Sequence, residues 1–255
     1  MVQGQPVVAP SGRRARNRLA RHRDYLRRAL QIATEDGIHA LTMQRLATEV
    51  DAAVGTVYTY FPSKGALIAE VQREAVDRLT GSYLLLRPAI EERVADADPS
   101  IAGLAHLVGF ARFCIESVDT LPQEQRLLQQ LMFDADQIVP TEEGARVLPT
   151  VLRLLDLARE RFEAATRAGA LHAGDAMDRT IVLAAALNGV LQVGKLARWD
   201  EELLDGGRLA RILIDDLLTG WGAAPDNLAA AHAVIDAIAR RQTLARPLPH
   251  GDDQP

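Results

Sequence analysis

The chain has one cysteine, Cys114, in 255 residues. A single thiol excludes an internal disulfide framework and a zinc site built from cysteines, and it suits a reducing compartment. An apolar leader core is missing as well, because the first apolar pair, Val7 and Val8, is followed by an arginine run. The longest apolar stretch, Ile181 to Leu187, falls far short of the roughly 20 residues that a membrane-spanning helix needs. A cytoplasmic protein without a membrane partner is therefore expected. No segment alternates apolar and polar residues between hairpin turns, so strands are not expected, and no internal repeat is visible. Catalytic signatures are lacking too: there is no H-E-x-x-H, no phosphate-binding glycine loop and no glycine-flanked serine. The histidines His22, His39, His106, His172, His232 and His250 are scattered, and carboxylate pairs such as Asp215 and Asp216 are adjacent rather than one helical turn apart. These absences predict a non-enzyme with no metal and no cofactor.

What is present is a 48% hydrophobic chain, enough for a sizeable core in one or two domains. Its net charge of -5 is unevenly placed: residues 1–64 carry +5 and residues 65–255 carry -10. Most of the positive charge is Arg13, Arg14, Arg16, Arg18, Arg21, Arg23, Arg27 and Arg28. Such a run either neutralises phosphates, making binding salt-dependent, or is a solvated tail, and the run alone does not choose.

Helical periodicity pervades the rest, which predicts an all-α fold. Tyr25 to Asp36 carries Leu26, Ala29, Leu30 and Ala33 on one face and stops at Gly37. Thr42 is placed to cap a second helix with Met43, Leu46, Ala47 and Val50 inward. After Asp51 and Ala52, a third short stripe, Val54, Val57, Tyr58 and Phe61, ends at Pro62. Ser63 should cap a fourth helix marked by Leu67, Ile68, Val71, Ala75 and Leu79, running towards Pro88. Further helices are expected at about 100–119, 123–136, 142–168, 176–202, 207–221 and 227–241. The 176–202 helix is apolar nearly all round and should be buried on several sides. The domain reading is a basic disordered arm over 1–17, a helix-turn-helix domain over 18–66, a helical domain over 67–246 and a disordered tail over 247–255.

Thr42 to Tyr60 has the layout of a helix-turn-helix, two short helices joined tightly so that the second presents side chains to the major groove. If Val57 and Phe61 face the core, Thr56, Thr59 and Tyr60 lie towards the other side. The stretches LTMQRLATEV and VGTVYTYFPSKGAL resemble the DNA-binding domain of the TetR family of transcriptional regulators, over roughly residues 23–70. That resemblance implies Thr42 and Gln44 as second-helix positions facing DNA. It further implies Thr56, Tyr58 and Tyr60 as third-helix contacts, Lys64 as a phosphate clamp, and Val54 against a thymine methyl group. Arg13, Arg14 and Arg16 are candidate arm contacts. The alternative for Tyr58 is a core aromatic with its hydroxyl at the surface, and for Lys64 a solvated charge. Asp51 stands where the family turn usually has Gly, and Ala53 where the third helix usually has a Ser cap.

By the same resemblance the remaining chain is a helical ligand-binding and dimerising domain, its last large helices joining two subunits in a homodimer. A repressor released from a palindromic DNA operator by a small, apolar effector is the implied function. Phe110, Cys114 and Met132, with Phe113 and Phe133, would surround a central cavity or simply fill the core. Asn188 and Gln192, one turn apart, would bond a ligand, pair across an interface or satisfy backbone groups. The rival reading is a helical interaction module whose DNA binding has decayed, for which Asp51 and Ala53 are the argument.

Overall fold

The computed structural model describes residues 12–133 and 141–248. Their regular structure is helical throughout: α1 (Arg13–Glu35), α2 (Met43–Glu49), α3 (Val54–Tyr60), α4 (Lys64–Arg93), α5 (Pro99–Thr120), α6 (Pro122–Phe133), α7 (Thr141–Arg167), α8 (Ala176–Gly194), α9 (Gly206–Gly220) and α10 (Pro225–Ala239). They form two units. The first comprises the described residues up to 72 together with 141–146, and the second comprises 73–133 and 147–248. The second unit starts at residue 73, and the first turns of α7 belong to the first unit.

In the first unit, Tyr25, Leu26, Ala29, Ile32 and Ala33 of α1 meet Leu46 and Ala47 of α2, Val57 of α3, and Leu67 and Ile68 of α4 in one apolar core. Each helix buries the stripe that helical periodicity marks out. Tyr58 is the exception to the expected third-helix stripe. It is 50% exposed, because Val57 and Phe61, four residues apart, already fill the inward face of a helix only seven residues long. The expected disordered arm over 1–17 also needs correction, since α1 begins at Arg13. Residues 13–20, RRARNRLA, contain no Gly or Pro, and Arg, Ala and Leu are strong helix formers, so the helix extends past its buried face into solvent.

The second unit is built round α5. This helix is long and apolar enough by composition to cross a membrane, yet it is largely buried here, as a core helix is. A Cβ on Gly109 would lie 2.5 Å from Ile90 of α4 and 3.2 Å from Ile235 of α10, and one on Gly103 would lie 2.9 Å from the Ala165 backbone of α7. These glycines let α5 sit closer to its neighbours than any larger residue would allow. Ion pairs Arg78–Glu124 (2.8 Å) and Arg112–Asp236 (2.9 Å) tie α4 to α6 and α5 to α10, and a His232–Asp215 hydrogen bond (2.6 Å) ties α10 to α9.

Four expectations change here. Pro88 lies inside α4 and does not end it. Pro88 is exposed, as is Leu84 one turn earlier, so the missing hydrogen bond falls on the solvent side, where water satisfies the freed carbonyl. The helix expected over 176–202 stops at Gly194, and α9 turns back along α8, with Gly194 and Gly206 in close approach. Nor is α8 buried on several sides: Ile181, Val182 and Val193 are exposed, because the other helices cover only the face of Leu183 and Leu187. Lastly, the expected tail over 247–255 starts no earlier than residue 249. Leu244 and Ala245 are buried, Glu116 accepts the Leu244 N–H at 2.8 Å, the Ser82 hydroxyl donates to the Arg246 carbonyl at 2.6 Å, and the Leu248 side chain lies against Gly81. The expected end of the 123–136 helix lies outside the described residues.

Candidate nucleic-acid interface

The candidate interface lies wholly in the first unit. Thr42 adopts extended backbone before α2, and its Oγ1 accepts the Arg45 N–H at 3.1 Å, the N-cap that its position predicts. An ion pair between Arg45 and Asp36 fixes the entry to α2. Thr42 and Gln44 are both exposed on the face opposite Met43, Leu46 and Ala47.

The turn after α2 has a definite geometry. The Ala52 N–H bonds the Ala47 carbonyl at 2.9 Å and the Asp51 N–H bonds the Thr48 carbonyl at 3.3 Å, the paired 6→1 and 5→2 bonds of a Schellman motif. Asp51 occupies the left-handed position with φ 48°, and it alone among the described non-glycine residues has a positive φ. The chain builds the same motif twice more, after α7 and after α9, and there Gly169 (φ 72°) and Gly222 (φ 106°) hold the left-handed position. Asp51 therefore performs in the helix-turn-helix the backbone role that this chain otherwise gives to glycine. The short polar side chain of Asp makes it one of the few residues that tolerate the conformation.

Helix α3 follows with Ala53 at its N-cap, where no side chain accepts a backbone N–H. The Thr56 N–H bonds the Ala53 carbonyl at 2.8 Å, which leaves the Val54 and Gly55 amides to solvent. Val57 and Phe61 are fully buried, Val54 and Thr56 are half-buried at the start of the helix, and Tyr58 projects outward. Tyr60 is half-buried and packs edge-on against Tyr25 of α1, with ring centroids 5.1 Å apart. Part of its surface is thus committed to holding α3 on α1. Thr59, on the outer face, returns its hydroxyl to the Gly55 carbonyl at 3.1 Å. Lys64, exposed, opens α4 just after Ser63, whose Oγ caps that helix through the Ala66 N–H at 2.9 Å. His22 of α1 pairs with Glu70 of α4 at 2.9 Å. Arg13, Arg14 and Arg16 are exposed on the first turns of α1 and not on a separate arm.

Of the effector residues named from sequence, Phe110 is buried and Cys114 lies one turn further along α5. Cys114 is half-buried by area, and burial of its thiol pushes it up to about 12. Asn188 and Gln192 are half-buried on α8. The Met132 and Phe133 side chains lie outside what the structure describes. Sequence reading passed over Tyr83, which is wholly buried against Phe110 and Phe113 with centroids 5.0 and 5.4 Å away. Its place at i+4 after Leu79 on the inward stripe of α4 was the available signal.

Residues 26–71 match the family model described as bacterial regulatory proteins, tetR family. The curated proteins contain no significant match to the chain. Among solved structures, it resembles a protein of unknown function from Rhodococcus sp. RHA1 (20% identity, 86% of this chain and 99% of that one, TM-score 0.57). It also resembles SmeT, the repressor of the Stenotrophomonas maltophilia multidrug efflux pump SmeDEF (20% identity, 89% and 97%, TM-score 0.53). A third is a TetR-family regulator from Mesorhizobium loti described as putative (16% identity, 90% and 98%, TM-score 0.51). At such identities the likeness concerns the fold.

Proposed function

We propose that this chain, a TetR-family regulator by the match of residues 26–71 and by its all-helical fold, is a non-enzymatic cytoplasmic repressor that leaves a palindromic operator when a small molecule binds its second unit. The observation that carries the reading is the exposed surface of the helix-turn-helix. Thr42, Gln44 and Tyr58 stand clear of the core while Leu46, Ala47, Val57 and Phe61 anchor the same two helices. In this reading Gln44 and Tyr58 reach base edges, and Thr42, Thr56 and Lys64 bond phosphates. Val54 meets a thymine methyl group, and Tyr60 adds its hydroxyl from a ring braced on α1. Arg13, Arg14 and Arg16 contact the backbone from the first turns of α1.

The uncovered face of α8 supports a homodimer. Ile181, Ala185, Gly189 and Val193 are all exposed and recur every four residues, with two small members that permit close approach, and Ile212 of α9 is exposed as well. A twofold axis through α8 and α9 would bury these faces and match a two-half-site operator. SmeT is also known in a complex with triclosan, which accords with a small-molecule effector for a chain of similar fold.

Selection of bound duplexes from a random pool by the purified protein tests the reading. It predicts an inverted repeat with half-sites about one helical turn or slightly more apart. Failure to recover any motif with folded protein at low salt would favour the interaction-module reading, for which the strained Asp51 turn and the capless α3 are the specific observations.

A further inference from the structure

Inside the second unit, five polar side chains end in buried atoms with no hydrogen-bond partner among the described residues: Gln130 Oε1 on α6 and, on three other helices, Tyr83 Oη and Arg87 Nε on α4, His106 Nδ1 on α5 and Arg161 Nε on α7. Buried polar groups are satisfied in the great majority of cases, so four orphans in one neighbourhood call for an explanation. The last four do share a neighbourhood. The charges of Arg161, Arg87 and Glu91 all act on both the Tyr83 hydroxyl and the His106 imidazole. Tyr83 and His106 are 0% and 8% exposed. Burial, reinforced by the two arginines, brings His106 down to about 4, and burial takes Tyr83 up to about 12, so at neutral pH both are uncharged and able to donate a hydrogen bond.

The charge count is then simple. Arg87 is paired with Glu91 at 3.3 Å, whereas Arg161 has no ion-pair partner among the described residues. One positive charge is left without a carboxylate, on a half-buried arginine whose Nε is enclosed and unpartnered. The Phe110 and Phe113 rings pack on Tyr83, so an apolar aromatic wall adjoins the polar end.

We infer that Tyr83, Arg87, His106 and Arg161 form the anion-binding end of the effector site, and that the effector is a monoanionic carboxylate on a flat or extended apolar body. Guanidinium groups match carboxylate geometry, and a single uncompensated charge suits a monoanion better than a phosphate dianion. Sequence reading, which saw only the aromatic and sulfur residues, gave an apolar effector; the arginines add its acid group. The inference rests on the regulator reading for what the ligand does, but binding is measured without DNA.

The test is a thermal-shift and calorimetric comparison, in Tris buffer, of naphthalene-2-carboxylate and decanoate with their primary amides and with sodium sulfate. The expected result is that at least one carboxylate binds on the order of 10- to 100-fold more tightly than its amide and than sulfate. Arg161→Met should erase that preference. Tyr83→Phe removes only an unpartnered hydroxyl, so it should keep the ligand-free melting temperature and weaken carboxylate binding about tenfold. Should neither carboxylate be preferred to its amide, or should the preference survive in both variants, the inference is overturned. Operator binding by the ligand-free protein is scored separately: its loss with carboxylate preference intact strikes the regulator reading alone.

Discussion

Asp51→Gly should stabilise the protein, although it deletes a side chain and adds the most flexible residue to the unfolded chain. The left-handed conformation costs an ordinary L-residue roughly 1–2 kcal/mol, a cost that Asp lowers only in part. Against this, Gly surrenders about 0.5–1 kcal/mol of extra chain entropy on folding. The Schellman bonds from Asp51 and Ala52 are made by backbone and survive the change. A net gain of at most about 0.5–1 kcal/mol follows, or roughly 1–4 °C in melting temperature for a chain of this size. Calorimetry on a series of variants separates conformation from charge. The account predicts the order Gly, then Asp and Asn together, then Ala, because Asn shares the tolerance of Asp without its charge and Ala has neither advantage. In operator binding Asn and Gly should instead group together above Asp, since both remove a carboxylate that would face phosphate. Finding Asp51→Gly no more stable than the native protein, or Asp51→Ala more stable, would refute the strain argument.

Ala53→Ser should supply the missing cap of α3 and add about 0.5–2 kcal/mol, read as a raised denaturation midpoint. Tyr58→Ala should leave the melting temperature within about 0.5 kcal/mol of native stability, because the ring is half-exposed, while weakening operator binding at least severalfold in an anisotropy titration. Glu116→Ala orphans the buried Leu244 N–H and should cost about 1–3 kcal/mol, with faster hydrogen exchange at residues 244–245. His106, held at about 4 when folded against an ordinary 6.5, gives a pH signature: the unfolded chain binds the extra proton between those values. Its contribution is therefore complete above about pH 6.5 and lost as pH falls towards 4, by up to about 3 kcal/mol. His106→Gln should flatten that part of the stability curve.

Helix positions were readable from sequence wherever one apolar stripe met one core, as in α2, α3 and the first half of α4. Reading failed where a different force decided. The extra turns of α1 bury nothing and rest on propensity alone. Pro88 is permitted within α4 because its lost bond faces water. Gly194 ends α8 through a backbone approach to Gly206 that lies twelve residues away in sequence. The candidate DNA-facing residues could be named because a short motif sets them on two short helices, where Thr42, Gln44 and Tyr58 are exposed. The cluster of Tyr83, Arg87, His106 and Arg161 was not, since its members come from three helices separated by up to 78 residues and no local pattern links them. Asp51 was noticed as a departure, but only its φ of 48° explains why it disturbs the turn so little.

The central claim, a symmetric pair of helix-turn-helix units reading two half-sites, is tested most directly by titrating the purified protein against the recovered inverted repeat and against the same duplex with one half-site displaced by about five base pairs. The account predicts a steep fall in affinity with salt and a large loss on displacement, since half a helical turn carries one half-site to the opposite side of the duplex. Equal affinity for both duplexes would contradict it.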